Sequence, residues 1–478
     1  MVLVALCGLG SSPADPYQTI AGFEKARSLG KGALAGYLAS KDPGLAARAA
    51  LAIGRTKDPH GAVLLQRHLR DKDDAVRAMA VYGLGLLGTG AGAPGIIIAI
   101  NGDRSSAVRV AAIDAVGRYE TAHVLRGGSE PAAALALVAS MKADRDPRVR
   151  GRAAAGFEAF HLGVVADFAS RELANALARE RDDDVRWHIM WTIYRAYAIR
   201  VPREVLTTAL HDPNELVRLE AVRAYGRLKN KDAMPALEPL LADPSWRVQL
   251  QTLEAIRALR GEPPTEHLKE IPPGIHVPPI HPQRYMDVAP LPRPTFSGKP
   301  SAPDPQNILV RPRLRPTTSA LMDGPMLGPH PRVRIRTTKG TFTVTLYPEW
   351  APLTVENFLN LTNRGYYDGL RWFRIVPDFV VQTGDPSDNG EGDAGYTIPA
   401  EENPLEQRSY VISMGLNYAG SNPIRDSAGT QFYITLSPQL HLDRDFTVFG
   451  EVTSGFDVLG RLVESDRMTR VEQIPDSR

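Results

Sequence analysis

The chain carries two different hydrophobic rhythms, separated by a stretch that has neither. From residue 14 to about 260, apolar positions recur at helical spacing in alanine-rich runs, each preceded by an acidic start. The unit reads Asp73-Asp74-Ala75-Val76-Arg77, Ala107-Val108-Arg109, Asp146-Pro147-Arg148-Val149-Arg150, Asp183-Asp184-Val185-Arg186, Asp212-Pro213-Asn214-Glu215-Leu216-Val217-Arg218 and Asp243-Pro244-Ser245-Trp246-Arg247, with a degenerate copy at Asp42-Pro43. Successive arginines lie 32, 41, 36, 32 and 29 residues apart, which is the length of a two-helix repeat. The spacing therefore predicts an all-α solenoid over 14–260. Asp can cap the orphan amides of the next helix and Pro is tolerated in its first turn. Small residues such as Ala49, Ala50, Ala111, Ala112, Ala153 and Ala154 let neighbouring helices approach closely.

Residues 261–330 hold 17 of the 39 prolines and no sustained apolar period. This predicts a semi-extended linker that keeps two folded units apart. Its Arg311-Pro312-Arg313-Leu314-Arg315-Pro316 run reads as a solvated charge cluster. After the linker the period becomes two. Val333 and Ile335 alternate with polar neighbours, Lys339-Gly340 supplies a turn, and Phe342, Val344 and Leu346 alternate again, a hairpin pattern. A helix is predicted from Pro352 to about Asn363, with Val355, Phe358, Leu359 and Thr362 on one face and Gly365 past its end. Further strands are predicted at 371–376, 379–383, 410–414, 431–436 and 447–452, with a second helix at 456–463. Many strands with two helices predict a closed antiparallel β-barrel.

Length and charge narrow the function classes. A chain of 478 residues exceeds what one core usually supports. Its 56 Lys and Arg against 54 Asp and Glu leave a net charge of +2, which offers no broad field for nucleic acid. No run approaches the roughly 20 apolar residues of a membrane span. One cysteine, Cys7, cannot form an internal disulfide. It follows the apolar run 1–6, so two readings of residues 1–13 stay open: a truncated lipoprotein-type export signal, placing the chain at the cell envelope, or the apolar tail of a cytoplasmic chain. Gly83-Leu84-Gly85-Leu86-Leu87-Gly88 fits a dinucleotide fingerprint by letter, but it closes a helix instead of following a strand. His441-Leu442-Asp443-Arg444-Asp445 lacks a second cluster of metal ligands. Neither a cofactor nor a metal is expected.

Two resemblances follow from these blocks. The repeat unit is similar to HEAT repeats of the short bacterial type, whose arrays bind proteins or act as spacers. The segment Trp372-Phe373-Arg374-Ile375-Val376-Pro377-Asp378-Phe379-Val380-Val381-Gln382-Thr383-Gly384-Asp385 resembles the signature of cyclophilins, the peptidyl-prolyl cis-trans isomerases or rotamases, in which the residue between the proline and the phenylalanine is variable. Ala351-Pro352-Leu353-Thr354-Val355-Glu356-Asn357-Phe358, Ser413-Met414-Gly415, Ala428-Gly429-Thr430-Gln431-Phe432-Tyr433-Ile434, and Leu442-Asp443 with Thr447-Val448-Phe449-Gly450 match further blocks in order. The resemblance covers 331–475. It implies Arg374, Phe379 and Gln382 as catalytic residues, and Val380, Gly415, Gln431, Tyr433, His441, Leu442 and Phe446 as substrate contacts. Many family members have Trp where His441 falls, His where Phe446 falls and Met where Val380 falls, and the loop Asn417–Asp426 is an insertion beside the groove.

The residue types also make chemical sense. Rotation about an X-Pro bond faces a barrier of about 18–20 kcal/mol from amide resonance. A catalyst needs an apolar pocket for the ring and a fixed cation near the prolyl nitrogen, where the lone pair returns as the bond twists. The fold expected is thus an α-solenoid at 14–260, a Pro-rich linker at 261–330 and a cyclophilin-like barrel at 331–475. The expected function is isomerisation of proline-containing polypeptide clients in folding, a chaperone-like role, with the helical arm as a protein-binding or client-orienting scaffold. The alternative is a scaffold that binds proline peptides without turnover. No nucleic acid partner and no transmembrane segment are expected.

Overall fold

The computed structural model describes residues 15–121, 125, 128–162, 164–229, 231–262, 330–420 and 422–474. Cys7 and residues 263–329, including the Arg311–Pro316 run, lie outside the described residues.

The first half is a two-layer helical array. One layer holds α2 (Ala33–Leu38), α4 (Gly61–Arg67), α6 (Ala93–Gly102), α8 (Glu130–Ala143), α10 (Ala166–Leu177), α12 (Arg203–Ala209) and α14 (Met234–Leu237). Its partner layer holds α3 (Pro43–Arg55), α5 (Asp74–Leu87), α7 (Ser106–Thr121), α9 (Pro147–Gly156), α11 (Asp183–Thr192), α13 (Glu215–Leu228) and α15 (Trp246–Arg260), with α1 (Pro16–Lys25) against α3. Each helix of the second layer packs on the next, α3 on α5, α5 on α7, and so on to α15. The glycine-rich run in α5 serves this packing. A Cβ on Gly83 would sit 2.9 Å from the Ala50 carbonyl oxygen, and one on Gly85 would sit 2.8 Å from Ala115. Gly88 ends the helix in the left-handed region at φ 65.

An arginine ladder sets the repeat. The Nε of Arg77, Arg109, Arg150, Arg186 and Arg218 donates to Asp103, Asp144, Glu180, Asp212 and Asp243 of the following repeat at 2.6–2.8 Å, and Nη2 reaches the other carboxylate oxygen. The same carboxylates accept the backbone N–H two residues on, ordering each helix start. Arg77, Arg109, Arg150 and Arg218 also donate Nη1 to the carbonyl six residues back. The reading of Arg247 as the sixth repeat arginine is corrected here. In the last repeat Gln249, not Arg247, donates to the carbonyl six residues back, that of Asp243, at 2.6 Å. Arg247 lies two residues earlier and points out of the ladder.

The second half is an eight-stranded antiparallel sheet built from β1 (Arg332–Thr337), β2 (Gly340–Leu346), β3 (Arg374–Val376), β4 (Val380–Thr383), β5 (Val411–Met414), β8 (Phe432–Thr435), β9 (Val448–Ser454) and β10 (Met468–Ile474). Between β5 and β8 lies a small hairpin, β6 (Tyr418–Ala419) with β7 (Asn422–Pro423), inside the insertion. The sheet order is β10-β1-β2-β9-β5-β8-β4-β3. Helix α16 (Pro352–Asn363) matches the expected one, whereas α17 (Phe456–Leu459) starts where expected and ends four residues short of 463. Phe358 of α16 meets Phe432 and Phe449 at ring distances of 5.3 Å in the core. The expectation of a closed barrel is corrected to a half-barrel. The edge strands β3 and β10 share no ladder, and one isolated bridge, Arg371↔Arg467, joins the residues that precede them.

The two halves are not held apart, which corrects the reading of the linker as a spacer. Arg55 at the end of α3 is fully buried between them. It donates to the carbonyls of Trp350 (2.6 Å), Glu402 (2.9 Å) and Glu401 (3.2 Å), while Nη1 meets Glu24 at 3.2 Å. Lys57 bonds Glu402 at 3.2 Å, Arg118 donates to the Arg444 carbonyl at 3.1 Å, and Arg152 bridges Asp114 and Asp443 at 2.6 Å each. Arg27 pairs with Asp426. Trp350, Leu405, Val411, Leu440 and Val448 of the sheet unit join the apolar core of the solenoid. The solenoid side thus supplies most of the cations and the sheet side most of the acceptors. Among the described residues no helix is long and apolar enough to cross a membrane.

Removing a buried ion-pair partner typically costs about 3–5 kcal/mol. Arg55→Ala is therefore expected to lower unfolding stability by about that amount, read by denaturant titration, and to loosen the two halves, read as a larger radius of gyration by X-ray scattering. An Arg55→Ala chain as compact and stable as the parent would remove the interface from this role.

Candidate active site

The β3–β4 hairpin brings the first site residues together. Its register places Arg374 opposite Gln382 and Val376 opposite Val380, while Ile375 and Val381 turn into the core. The period of two thus puts Arg374 and Gln382 on one face. Arg374 Nη1 donates to Gln382 Oε1 at 3.1 Å. Gln382 Nε2 donates to Gln431 Oε1 at 3.2 Å, and Gln431 Nε2 donates to the carbonyls of Gly390 (2.9 Å) and Gly392 (3.0 Å). That loop is held by Asp385, whose carboxylate accepts the N–H groups of Ser387 (2.6 Å), Asn389 (2.9 Å) and Gly390. A chain of hydrogen bonds therefore runs from the Asp385 turn to the Arg374 guanidinium.

Arg374 is half-buried, and burial holds its pKa below the ordinary value. Among the described residues no carboxylate forms an ion pair with it. Its Cζ lies 5.4 Å from the centre of the Phe379 ring, within cation–π range. Phe379 in turn stacks on His441 at 5.7 Å and 17°. Beside them Val380, Tyr433, Leu442 and Phe446 form one buried cluster, with Phe379 and Leu416 packed on it. Tyr433 and Phe446 meet edge to face at 5.8 Å. Gly415 donates its N–H to the Gln431 carbonyl at 2.8 Å, and a Cβ there would come within 3.2 Å of Gln431 Cβ and 3.4 Å of Gln382 Nε2.

All ten residues expected from the sequence are thus brought together in one set of contacts. Sequence reasoning missed Leu416, and Tyr418 of the inserted hairpin, whose ring is 6.4 Å from Phe446. The available signal was an aromatic, Tyr418, in the insertion that follows the strand ending at Met414. It also missed Asp385, whose position next to Gly384 in the signature carried the hint. Asp443, weighed as a metal ligand by spacing, is committed to Arg152 and to the Gln407 N–H at 2.7 Å.

The profile described as "Cyclophilin type peptidyl-prolyl cis-trans isomerase/CLD" matches residues 332–476. Peptidyl-prolyl cis-trans isomerase CYP18-2 of Arabidopsis thaliana is 40% identical over 146 residues, spanning 30% of this chain and 88% of that protein. The chain belongs to the cyclophilin-type peptidyl-prolyl cis-trans isomerases. Peptidyl-prolyl cis-trans isomerase B of Bacillus subtilis is 44% identical over 128 residues, covering 26% of this chain and 85% of that protein. A crystal structure of a Cryptosporidium parvum cyclophilin-type isomerase is 25% identical and covers 31% of this chain and 99% of that one, with a TM-score of 0.29. The HEAT repeat profile matches residues 61–158 and 203–271, outside the cyclophilin unit. The unmatched 159–202 contains the π-turn Ile193–Tyr197, which interrupts the helical period.

The docked solenoid also bears on the charge of His441. Burial first, then the cations Arg195 and Arg223, push its pKa down from 6.5 to about 4. It is neutral in the folded chain at neutral pH. Between about pH 6.5 and 4 the unfolded imidazole binds a proton that the folded one refuses, so acid removes stability in that window and no further below it. The Tm of the chain is expected to fall between pH 7 and pH 4.5 by more than that of a His441→Gln variant, measured by thermal unfolding. Parallel pH profiles would show that His441 titrates normally.

Proposed function

We propose that this chain catalyses rotation about X-Pro bonds in polypeptides, with Arg374 as the cation that follows the prolyl nitrogen. The observation that carries this reading is the Arg374 guanidinium, aimed beside an apolar pocket, unneutralised by any described carboxylate and fixed by Gln382. The proline ring seats against Phe379, Val380, Tyr433, Leu442 and Phe446, and Gln431 and the backbone at Gly415 take the extended peptide. His441 forms the rim. As the amide twists, resonance is lost and the nitrogen becomes a hydrogen-bond acceptor, so a donor held at that point is worth more in the twisted state than in the planar one. No covalent bond is made or broken, and the hydrogen-bond chain back to Asp385 keeps the donor from reorganising.

The organisation into an N-terminal segment 1–13, a helical array 14–260, a Pro-rich linker 261–330 and an isomerase unit 331–475 belongs to the same proposal. Described helices from Pro16 to Arg260 and strands from Arg332 to Ile474 support it. The clients are proline-containing polypeptides, and the helical array serves as the surface that orients them. Support comes from exposed apolar residues on the array, Ile98, Leu135 and Ile199 at 72%, 60% and 80%. None of them is among the residues that meet the sheet unit.

Arg374→Ala is expected to lower kcat/KM on a short X-Pro peptide by about tenfold to a hundredfold, about 1.4–2.7 kcal/mol, with the fold intact. An unchanged rate in a folded variant would refute the assignment, and a parent chain that binds such peptides without turnover would restore the binding-scaffold alternative. A chain with Ile98, Leu135 and Ile199 replaced by Ser is expected to isomerise short peptides normally and to accelerate refolding of a proline-limited protein less than the parent. Equal refolding rates would leave the array without a client role.

A further inference from the structure

The position between Pro377 and Phe379 is variable in the family pattern, and here it holds an aspartate that is almost wholly buried, 1% exposed. Asp378 forms the tip of the β3–β4 hairpin, in the left-handed region at φ 59. Its carbonyl accepts from Ser437 Oγ (2.5 Å) and Gln439 Nε2 (3.2 Å) of the sheet unit. Its carboxylate is taken by the solenoid: Arg247 Nε donates to Oδ1 at 2.8 Å and Arg223 Nη2 to Oδ2 at 3.1 Å. Arg247 is the arginine that stands outside the repeat ladder, so the array ends by presenting a cation to the isomerase unit.

The hairpin needs such an anchor. β3 is three residues long and lies at the sheet edge, bonded on one side to β4. Arg374 sits on β3, Val380 and Gln382 sit on β4, and Phe379 is the next residue after the tip. A shift of the tip therefore moves the floor of the proline pocket and the guanidinium together. Buried charges hold position only when fully paired, and a bidentate grip by two arginines also fixes direction.

We propose that Asp378, gripped by Arg223 and Arg247, is a positioning residue through which the helical array sets the geometry of the proline pocket. The inference rests on the isomerase reading above. It assigns the array a part in the reaction itself, in addition to any hold it has on clients.

The test uses the full chain and a fluorescent X-Pro peptide, with KM, kcat, peptide Kd and Tm read for each variant. Arg223→Gln combined with Arg247→Gln, and separately Asp378→Asn, are expected to raise KM and Kd about fivefold or more and to lower kcat as well, because the pocket floor and the guanidinium move together. Arg247→Lys, which keeps a cation on Asp378, is expected to recover most of that loss relative to Arg247→Gln. Arg109→Gln breaks a ladder rung of the same chemistry far from the hairpin, and is expected to lower Tm with KM and Kd unchanged. Wild-type KM and Kd in the folded double variant would overturn the proposal, as would an equal rise in Arg109→Gln, which would trace the effect to general destabilisation. Should the double variant fail to fold, Arg247→Gln and Asp378→Asn are judged by the same criterion. Failure of the isomerase reading is seen separately, as no turnover in the parent chain, and Kd then decides the positioning role alone.

Discussion

A guanidinium removed from water loses stability unless its N–H groups find acceptors, and most of the buried arginines of this chain are placed to meet that demand. Within the array, Arg77, Arg109, Arg150, Arg186 and Arg218 each find theirs in the following repeat, so one repeat is incompletely satisfied without the next. Between the halves, Arg55, Arg118, Arg152, Arg223 and Arg247 divide theirs between the array and the isomerase unit. These pairings neutralise charge locally, from repeat to repeat and across the seam.

The acidic side of the interface lies close to the groove. Asp378 precedes Phe379, Asp443 follows Leu442, and Asp426 ends the inserted hairpin that carries Tyr418. Each is held by an arginine of the array. On the opposite side the groove is braced from within the sheet unit, through Asp385, Gln431 and Gln382. The face that carries Arg374 thus sits between two sets of polar supports, one local to its own fold and one delivered by the repeats.

Elements set by local spacing were legible in the sequence. The helical period, the Asp starts, the alternation at Val333, Ile335, Phe342 and Val344, and the pairing of Arg374 with Gln382 all follow from residues less than ten positions apart. The last strand, Met468–Ile474, was missed because charged Arg470 and Glu472 interrupt its apolar alternation on a sheet edge. Arg247 was misread because it and Gln249 stand two places apart, and the Val-Arg motif gives no way to see which donor reaches back to Asp243. The joining of the halves was illegible for a different reason. The prolines of 261–330 describe the connection, whereas the contacts belong to single residues such as Arg55 and Glu402, 347 positions apart.

That separation has a kinetic meaning. Contacts of the array link neighbouring repeats and close small loops, while Arg55 with Glu402, Arg152 with Asp443 and Arg118 with Arg444 close loops of roughly 300 residues or more. Loop-closure entropy and the dependence of folding rate on contact order put such pairings last. During synthesis the array emerges and folds first, with its interface arginines hydrated, and waits for a surface that has yet to be made. The isomerase unit then docks as a preformed body, and the seam between the two is the natural first place for the native chain to open again.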